Sequence, residues 1–178
     1  MKLNVLRMVT DFLNDPTHGV NALLGSIPLD DGESAPPALT AIVDTTRAND
    51  VARLFADPDE RPTPFGFVFD PDDLAIEGWV ANQITQGTEG QLTIGLAFVV
   101  GTAQTAAGLR DAMLYRRAAR RSLNRLNGND QVDARKRNQI YITRTASFTE
   151  GASWAQLDGG TLAAAPLFPR YQVRDDLP

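Results

Sequence analysis

Apolar residues recur at helical spacing at the start of the chain. The spacing is i, i+3, i+4 and i+7, which predicts an amphipathic opening helix. Its apolar residues are Val5, Met8, Val9, Phe12 and Leu13. Pro16 follows, and the residue before a proline avoids the α region, so the helix ends there. A second short helix is predicted over residues 17–24, and Gly25 supplies a C-terminal stop.

Alternation of apolar and polar residues predicts strands further along. Residues 39–45 are predicted to form a strand in which Leu39, Ala41 and Val43 share one face and Ile42 lies on the other. Residues 74–85 and 91–100 are predicted to pair as an antiparallel hairpin. The apolar face of the second strand consists of Leu92, Ile94, Leu96, Phe98 and Val100.

Shorter β signals and loops complete the β part of the chain. Phe65, Phe67 and Phe69 indicate a short strand inside a region of loops near 56–73. Two closing strands are predicted over 139–148 and 167–174, and Pro169 favours an edge position for the last one because it has no N–H to donate. Long loops are expected near 28–37 and 149–165. For the small, polar residues 151–164 of the latter, either an exposed loop or a loose hairpin is expected.

A long helix is predicted over residues 103–127, with Asn127-Gly128 as its stop signal. Its apolar stripe is predicted to contain Leu109, Ala112, Met113, Ala119, Leu123 and Leu126. Most of the arginines are expected on the remaining faces. The element order indicates one α+β domain over 1–178, in which a mostly antiparallel sheet packs the N-terminal helix and the long helix on one face.

Composition narrows the function classes. The hydrophobic fraction is 43% and the charged fraction 22%, as in ordinary globular domains. The chain has no cysteine, which excludes disulfides and cysteine nucleophiles. No apolar run approaches the ~20 residues of a membrane span, so no membrane partner is expected.

Candidate catalytic and metal-binding residues do not form a recognisable motif. His18 is the sole histidine and stands at a predicted helix start, where a surface or capping role is favoured over catalysis. Asp70, Asp72 and Asp73 lack the glycine and glutamate positions of a calcium-binding EF-hand loop. We therefore predict no enzyme activity, cofactor or metal site.

Charge is unevenly distributed although the net charge is −5. Between Arg110 and Arg144 there are ten basic and three acidic residues. Arginine forks pair well with carboxylates at protein interfaces, so the predicted interaction residues lie on the long helix, in the acidic loops and at one loop tryptophan. They are Arg110, Arg116, Arg117, Arg120, Arg121, Arg125, Asp70, Asp72, Asp73 and Trp154. Pairing of this helix with the acidic loops 30–33 and 70–77 within one chain, pairing with a neighbouring copy, phosphate binding and a solvated helix face all remain open.

Two parts of the chain resemble phage tail-terminator, or tail-completion, proteins of the neck. The first is the strand 91–100 with the start of the long helix, Thr102-Ala103-Gln104-Thr105-Ala106-Ala107 and then Leu109-Arg110-Asp111-Ala112. The second is the closing segment 168–175. The resemblance implies a homo-oligomeric ring, expected to be a hexamer, at the head-proximal end of the tail. It implies contacts with the tail tube protein and a neck or connector protein. DNA would at most pass through the lumen. The virion part would be made in the host bacterial cytoplasm. The alternatives are a small ligand-binding or enzymatic α+β domain and a DNA-binding accessory protein that uses the arginine-rich helix.

Overall fold

A computed structural model describes residues 2–44, 63–70, 91–101, 105–126, 140–150, 154–157 and 160–175. Its helices are α1 (Lys2–Leu13), α2 (Val20–Leu24) and α3 (Ala106–Arg125). Its strands are β1 (Ile42–Asp44), β2 (Phe65–Phe69), β3 (Gln91–Thr93), β4 (Gly95–Gly101), β5 (Ile140–Glu150), β6 (Trp154–Leu157) and β7 (Gly160–Asp175). The predicted α+β class is confirmed.

The seven described strands form one sheet, and only the β1–β2 pair is parallel. β7 lies inside the sheet. It pairs with β4 and β3 along one edge and with β5 and β6 along the other. β2 pairs with β4, and β1 is the outermost described strand on that side. The mostly antiparallel sheet predicted from the sequence is therefore confirmed.

The three helices pack on one face of this sheet. The amphipathic stripe of α1 is fully buried, as its spacing predicted, and the buried cluster joins it to Leu96 and Phe98 of β4 and to Leu123 of α3. α2 packs along α3. The apolar face predicted for the 91–100 strand is confirmed at Ile94, Leu96 and Phe98, which all belong to the same cluster.

The opposite face of the sheet is buried too. Phe65, Phe67 and Phe69 of β2 are at most 4% exposed, and neighbouring rings lie 6.3 Å and 5.4 Å apart. The strand predicted at these phenylalanines is confirmed. Burial on both faces explains why β2 reads as a continuous apolar run and not as an alternating one.

Two aromatic–glycine pairs lock β2 to β4. Gly66 lies opposite Phe98 and Phe69 lies opposite Gly95 in the antiparallel register. A Cβ on Gly66 would lie 3.2 Å from the Phe98 ring, and one on Gly95 would overlap the Phe69 ring. Each ring therefore covers the bare backbone of the glycine across from it, one pair on each face of the sheet.

Two asparagines hold the backbone that leads into β1. Asn21 donates from Nδ2 to Leu39 O (3.0 Å) and accepts from Leu39 N (2.8 Å). Asn14 donates to Ile42 O (2.8 Å) and accepts from Ile42 N (3.3 Å). Each amide thus satisfies both polar groups of one residue, as a neighbouring strand would.

Several sequence predictions need correction. Within 39–45, Leu39 and Ile42 are buried and Ala41 is exposed, because the chain becomes a strand only at Ile42. The loop near 149–165 contains β6 and the start of β7, which pair as a hairpin. The hairpin alternative for this region is the one that holds.

The edge position predicted for the last strand from Pro169 is also wrong, because β7 has partners on both sides. Thr93 pairs with Arg170 and Leu96 with Leu167, so Pro169 falls opposite the break between β3 and β4. On its other side it lies opposite Phe148 of β5. The missing N–H is tolerated because the ladder is interrupted at that level.

Some predictions fall outside the described residues. They are the strand 74–85 and the turn that was to join it to 91–100. The loop residues 56–62 and 71–73 are in the same position. The predicted loop near 28–37 has neither helix nor strand.

Candidate interaction surface

α3 begins at a side-chain cap and is buried along one stripe. Thr105 Oγ1 accepts a hydrogen bond from Gly108 N (3.0 Å), which satisfies one of the free N–H groups of the first turn. The buried stripe follows helical spacing and is centred on Tyr115, whose ring lies 6.0 Å from that of Phe98. The buried residues are Ala112, Leu114, Tyr115, Arg116, Ala118, Ala119, Ser122, Leu123 and Leu126.

This stripe is wider than the predicted one, which it matches at Ala112, Ala119, Leu123 and Leu126 but not at Leu109 or Met113. Met113 was assigned to the apolar face but is 39% exposed, whereas Tyr115 takes a central place in the core. Arg116 was assigned to an outer face but is 8% exposed. The reason is a rotation of the helix that brings the large aromatic ring onto β4.

The segment 26–37 runs along α3 and is fastened to it at three backbone carbonyls. Arg121 Nη1 donates to Ser26 O (2.8 Å) and Arg110 Nη2 donates to Ser34 O (2.6 Å). The Tyr115 hydroxyl donates to Pro37 O (2.6 Å). Since Arg110 and Arg121 are about 16 Å apart along the axis at 1.5 Å per residue, the segment is held over about three helical turns.

The Tyr115 hydroxyl is buried between α3 and the segment 26–37. Burial raises the pKa of the Tyr115 hydroxyl, and the negative charge of Asp111 raises it further. The hydroxyl therefore stays protonated and donates its hydrogen bond to Pro37 O. Its role is to fasten the segment 26–37.

Arg110 also makes an ion pair with the acidic loop 30–33, which was one of the alternatives left open by the sequence. Its Nη1 lies 3.7 Å from Glu33 Oε1, and its Nη2 lies 3.4 Å from Asp111 Oδ1. Between a quarter and a third of each side chain is exposed, so water screens these pairs and they contribute little to stability. Arg110 is thus occupied within the chain.

The residues 30–33 form a defined acidic turn. Glu33 N donates to Asp30 O (3.0 Å) across the turn, and Asp30 N donates to Glu33 Oε2 (3.3 Å). Gly32 at the third position has a φ of 85°, a conformation that favours glycine and is typical of type II turns. Asp30 and Asp31 stand exposed at its tip.

The outer side of α3 carries the remaining predicted arginines. Arg117, Arg120, Arg121 and Arg125 are exposed, and Met113 lies one turn before Arg117. Asp111 is the sole acidic residue of the helix. We call Met113, Arg117, Arg121 and Arg125 the basic face. Arg117 and Arg125 make no ion pair with any residue that the structure describes.

The other predicted interaction residues do not join this surface. Asp70 follows β2 and is 9% exposed, so the expectation of an accessible carboxylate there is wrong. Its carboxylate comes directly after a strand that is buried on both faces. Asp72 and Asp73 lie outside the described residues. Trp154 begins β6, and its side chain is outside the described set.

His18 lies in a local cap between α1 and α2. Its ring stacks on Phe12 at 6.2 Å, and its Nδ1 is 3.4 Å from Asp15 Oδ1. Burial acts to raise the pKa of Asp15, but the N–H groups of His18 and Thr17 donate to its carboxylate and leave that pKa lowered. The arrangement fits a structural role at the turn between the two helices.

Sequence reasoning missed the polar groups that fasten segments to helices. Asn14 follows the end of α1 and Asn21 lies in α2, and nothing in their sequence neighbours predicts that they bind the backbone before β1. The carbonyls of Ser26, Ser34 and Pro37 belong to a polar segment with no regular structure. Proline and serine in a segment next to two helices were the only signal that this part of the chain crosses a helix surface.

Within the described ranges, no three histidine or carboxylate side chains come together as a metal site. No helix in that part of the chain is long and apolar enough to span a membrane. Comparison with family models, with curated proteins and with solved structures gives no significant match. The class of protein is therefore argued from the fold and the basic face.

Proposed function

We propose that this chain is a structural virion protein that forms a ring at the head-proximal end of a phage tail. The ring terminates the tail tube and joins it to the neck. The observation that carries the proposal is the order and packing of the elements. An opening helix, a buried strand that leads into the long helix α3, and closing strands in the same antiparallel sheet are what the tail-terminator resemblance implies.

The surface of α3 supports a protein that assembles. Arginine is enriched at protein–protein interfaces, and here four arginines are exposed on one helix of a chain whose net charge is −5. The helix is held on the sheet by a fully buried stripe and covered on one flank by the segment 26–37. A rigid helix is a good base for contacts that must be repeated identically around a ring.

The native mass of the purified chain tests the proposal. Light scattering coupled to size-exclusion chromatography, at low and moderate salt, should give a discrete species near six times the 19.3 kDa of the chain. Negative-stain electron microscopy should show rings with an open lumen. A monomer at every salt and protein concentration, with no rings when tail tube protein is added, would rule the proposal out.

The exposed arginines also favour one other function, that of a DNA-binding accessory protein. Arginines on a helix can contact phosphates, and affinity then falls steeply with salt. The exposed carboxylates of Asp30 and Asp31 beside the same helix oppose this, because they repel a phosphate backbone. Strong, salt-sensitive retention of the chain on double-stranded DNA would favour this function over the ring.

A further inference from the structure

The basic face and the acidic turn both carry charges that form no ion pair among the described residues. Segment 26–37 places the acidic turn against α3, because it is fastened at Ser26 and at Ser34 on either side of the turn. Asp30 and Asp31 nevertheless make no ion pair with a described arginine, and Arg117 and Arg125 make none with a described carboxylate. The structure thus holds exposed carboxylates and exposed guanidinium groups in fixed positions without an ion-pair partner among the described residues.

We propose that the basic face binds the acidic turn of a second copy of this chain. The inference rests on the proposed function for the idea that copies assemble, and it names the contact through which they do so. The partner is a copy and not a nucleic acid, because carboxylates flank the arginines and would repel phosphates. Every copy carries both halves of the contact, so the same pairing can repeat from copy to copy.

The residues of this contact suit an interface. Arg117 and Arg125 present planar forks that pair with carboxylates through two parallel hydrogen bonds. Met113 adds an exposed, flexible apolar side chain one turn before Arg117, and such a side chain suits burial in an interface. The turn that carries Asp30 and Asp31 is closed by its own hydrogen bonds, so little order is lost when it docks.

Paired charge reversals test the contact. One variant is R117E/R125E and the other is D30K/D31K. These residues are exposed and fasten nothing in the described part of the chain, whereas Arg121 and Glu33 are left in place because they hold the segment 26–37 and Arg110. The matched control is Arg7→Glu, which reverses an exposed charge on α1. Far-UV circular dichroism and Tm should stay at the wild-type values in all variants.

The expected result is loss and recovery of assembly. Each double variant should associate at least about tenfold more weakly than the wild type, since like charges then face each other. An equimolar mixture of the two should regain the wild-type oligomer, because reversed arginines meet reversed carboxylates and the wild-type pair is also present. Raising NaCl from about 0.1 M to about 1 M shortens the screening length from about 10 Å to about 3 Å and should weaken the wild-type oligomer. R7E should keep its mass.

The other outcomes separate this inference from the proposed ring. A wild-type ring that both double variants still form would overturn the contact and leave the ring standing. A salt-sensitive dimer that is lost and recovered in the same way would uphold the contact and overturn the ring. A wild type that stays monomeric at every salt and protein concentration, and forms no rings when tail tube protein is added, would overturn both. Loss of retention on a double-stranded DNA column in R117E/R125E, with no change of mass in any variant, would overturn the second copy as partner in favour of nucleic acid.

Discussion

A single methyl group at Gly95 should destabilise the protein, because the Phe69 ring occupies the space directly across the strand pair. A Cβ built on Gly95 meets three ring carbons, of which the farthest, Cε1, would still be 2.6 Å away. Carbon atoms in contact are normally about 3.5–4.0 Å apart. Phe69 is 2% exposed, and the Phe67 ring packs against it at 5.4 Å, so it has little room to move.

The expected magnitude follows from two opposing effects. Overpacking a well-packed core typically costs about 1–3 kcal/mol. Replacing glycine by alanine also restricts the unfolded chain, which stabilises the folded state by about 0.4–1 kcal/mol where the backbone conformation is compatible. The φ of Gly95 is not in the positive region, so this second effect applies. The net expectation for Gly95→Ala is a loss of about 1–2 kcal/mol in the free energy of unfolding.

Urea unfolding followed by far-UV circular dichroism measures this loss as a lower midpoint at an unchanged slope. Gly25→Ala is the matched control. Gly25 ends α2 in the right-handed helical region with a φ of −67°, and no atom lies within 4 Å of the position of its Cβ. The same chemical change at Gly25 should therefore leave the protein as stable as the wild type or more stable, by up to about 1 kcal/mol.

A double-mutant cycle with Phe69→Leu identifies the cause. The leucine side chain lacks the outer ring carbons that meet the new methyl group. The double variant should therefore be more stable than the sum of the two single changes predicts, by about 1 kcal/mol or more. If Gly95→Ala unfolds at the wild-type urea concentration, or if the two changes are simply additive, the ring over Gly95 does not limit the packing of β2 on β4.

Three further changes test the polar contacts. Asn14→Ala should cost about 1 kcal/mol in urea unfolding, and it should speed hydrogen exchange of the Ile42 amide, which loses its acceptor. Tyr115→Phe should cost about 1 kcal/mol at pH 7. The raised pKa of Tyr115 keeps the folded-state hydroxyl neutral, so wild-type stability should fall above pH 10.0, where the unfolded tyrosine ionises, and this fall should be smaller in the variant. The lowered pKa of Asp15 contributes stability that is present above pH 3.8 and is lost as pH falls below it, so Asp15→Asn should reduce the drop in urea midpoint between pH 7 and pH 3.

Local periodicity predicted the buried face of those helices and strands whose apolar residues repeat regularly. The stripe of α1 and the helix-facing side of β4 were both predicted residue by residue, because their apolar positions repeat without interruption. Periodicity failed where a contact with a neighbouring strand determines which residue is buried or which position in the sheet is possible. Met113 and Tyr115 are both reasonable core residues, and only the Phe98 ring on β4 selects Tyr115. Pro169 indicated an edge strand, but the break between β3 and β4 lets an interior strand accept it.

The candidate surface was predictable in part. An arginine-rich long helix and an acidic loop were evident in the sequence, and the pairing of Arg110 with Glu33 agrees with one of the predicted alternatives. Which arginines remain available was not predictable, because it depends on contacts between positions far apart in the chain. Arg110 and Arg121 donate to the backbone carbonyls of Ser34 and Ser26. Every residue has a backbone carbonyl, so the sequence does not indicate which ones accept these bonds.

The asparagine clips bear on how copies of this chain can meet. β1 is the outermost described strand on its side, and an exposed strand edge is normally the easiest place for another chain to pair. Here the N–H and C=O of Ile42 are both taken by Asn14, and those of Leu39 by Asn21. A strand arriving at this edge would have to displace the Asn14 amide from Ile42, and the Asn21 amide holds the backbone just before β1. Assembly through side chains on the outer surface of α3, as proposed for the basic face, requires no such exchange at this edge.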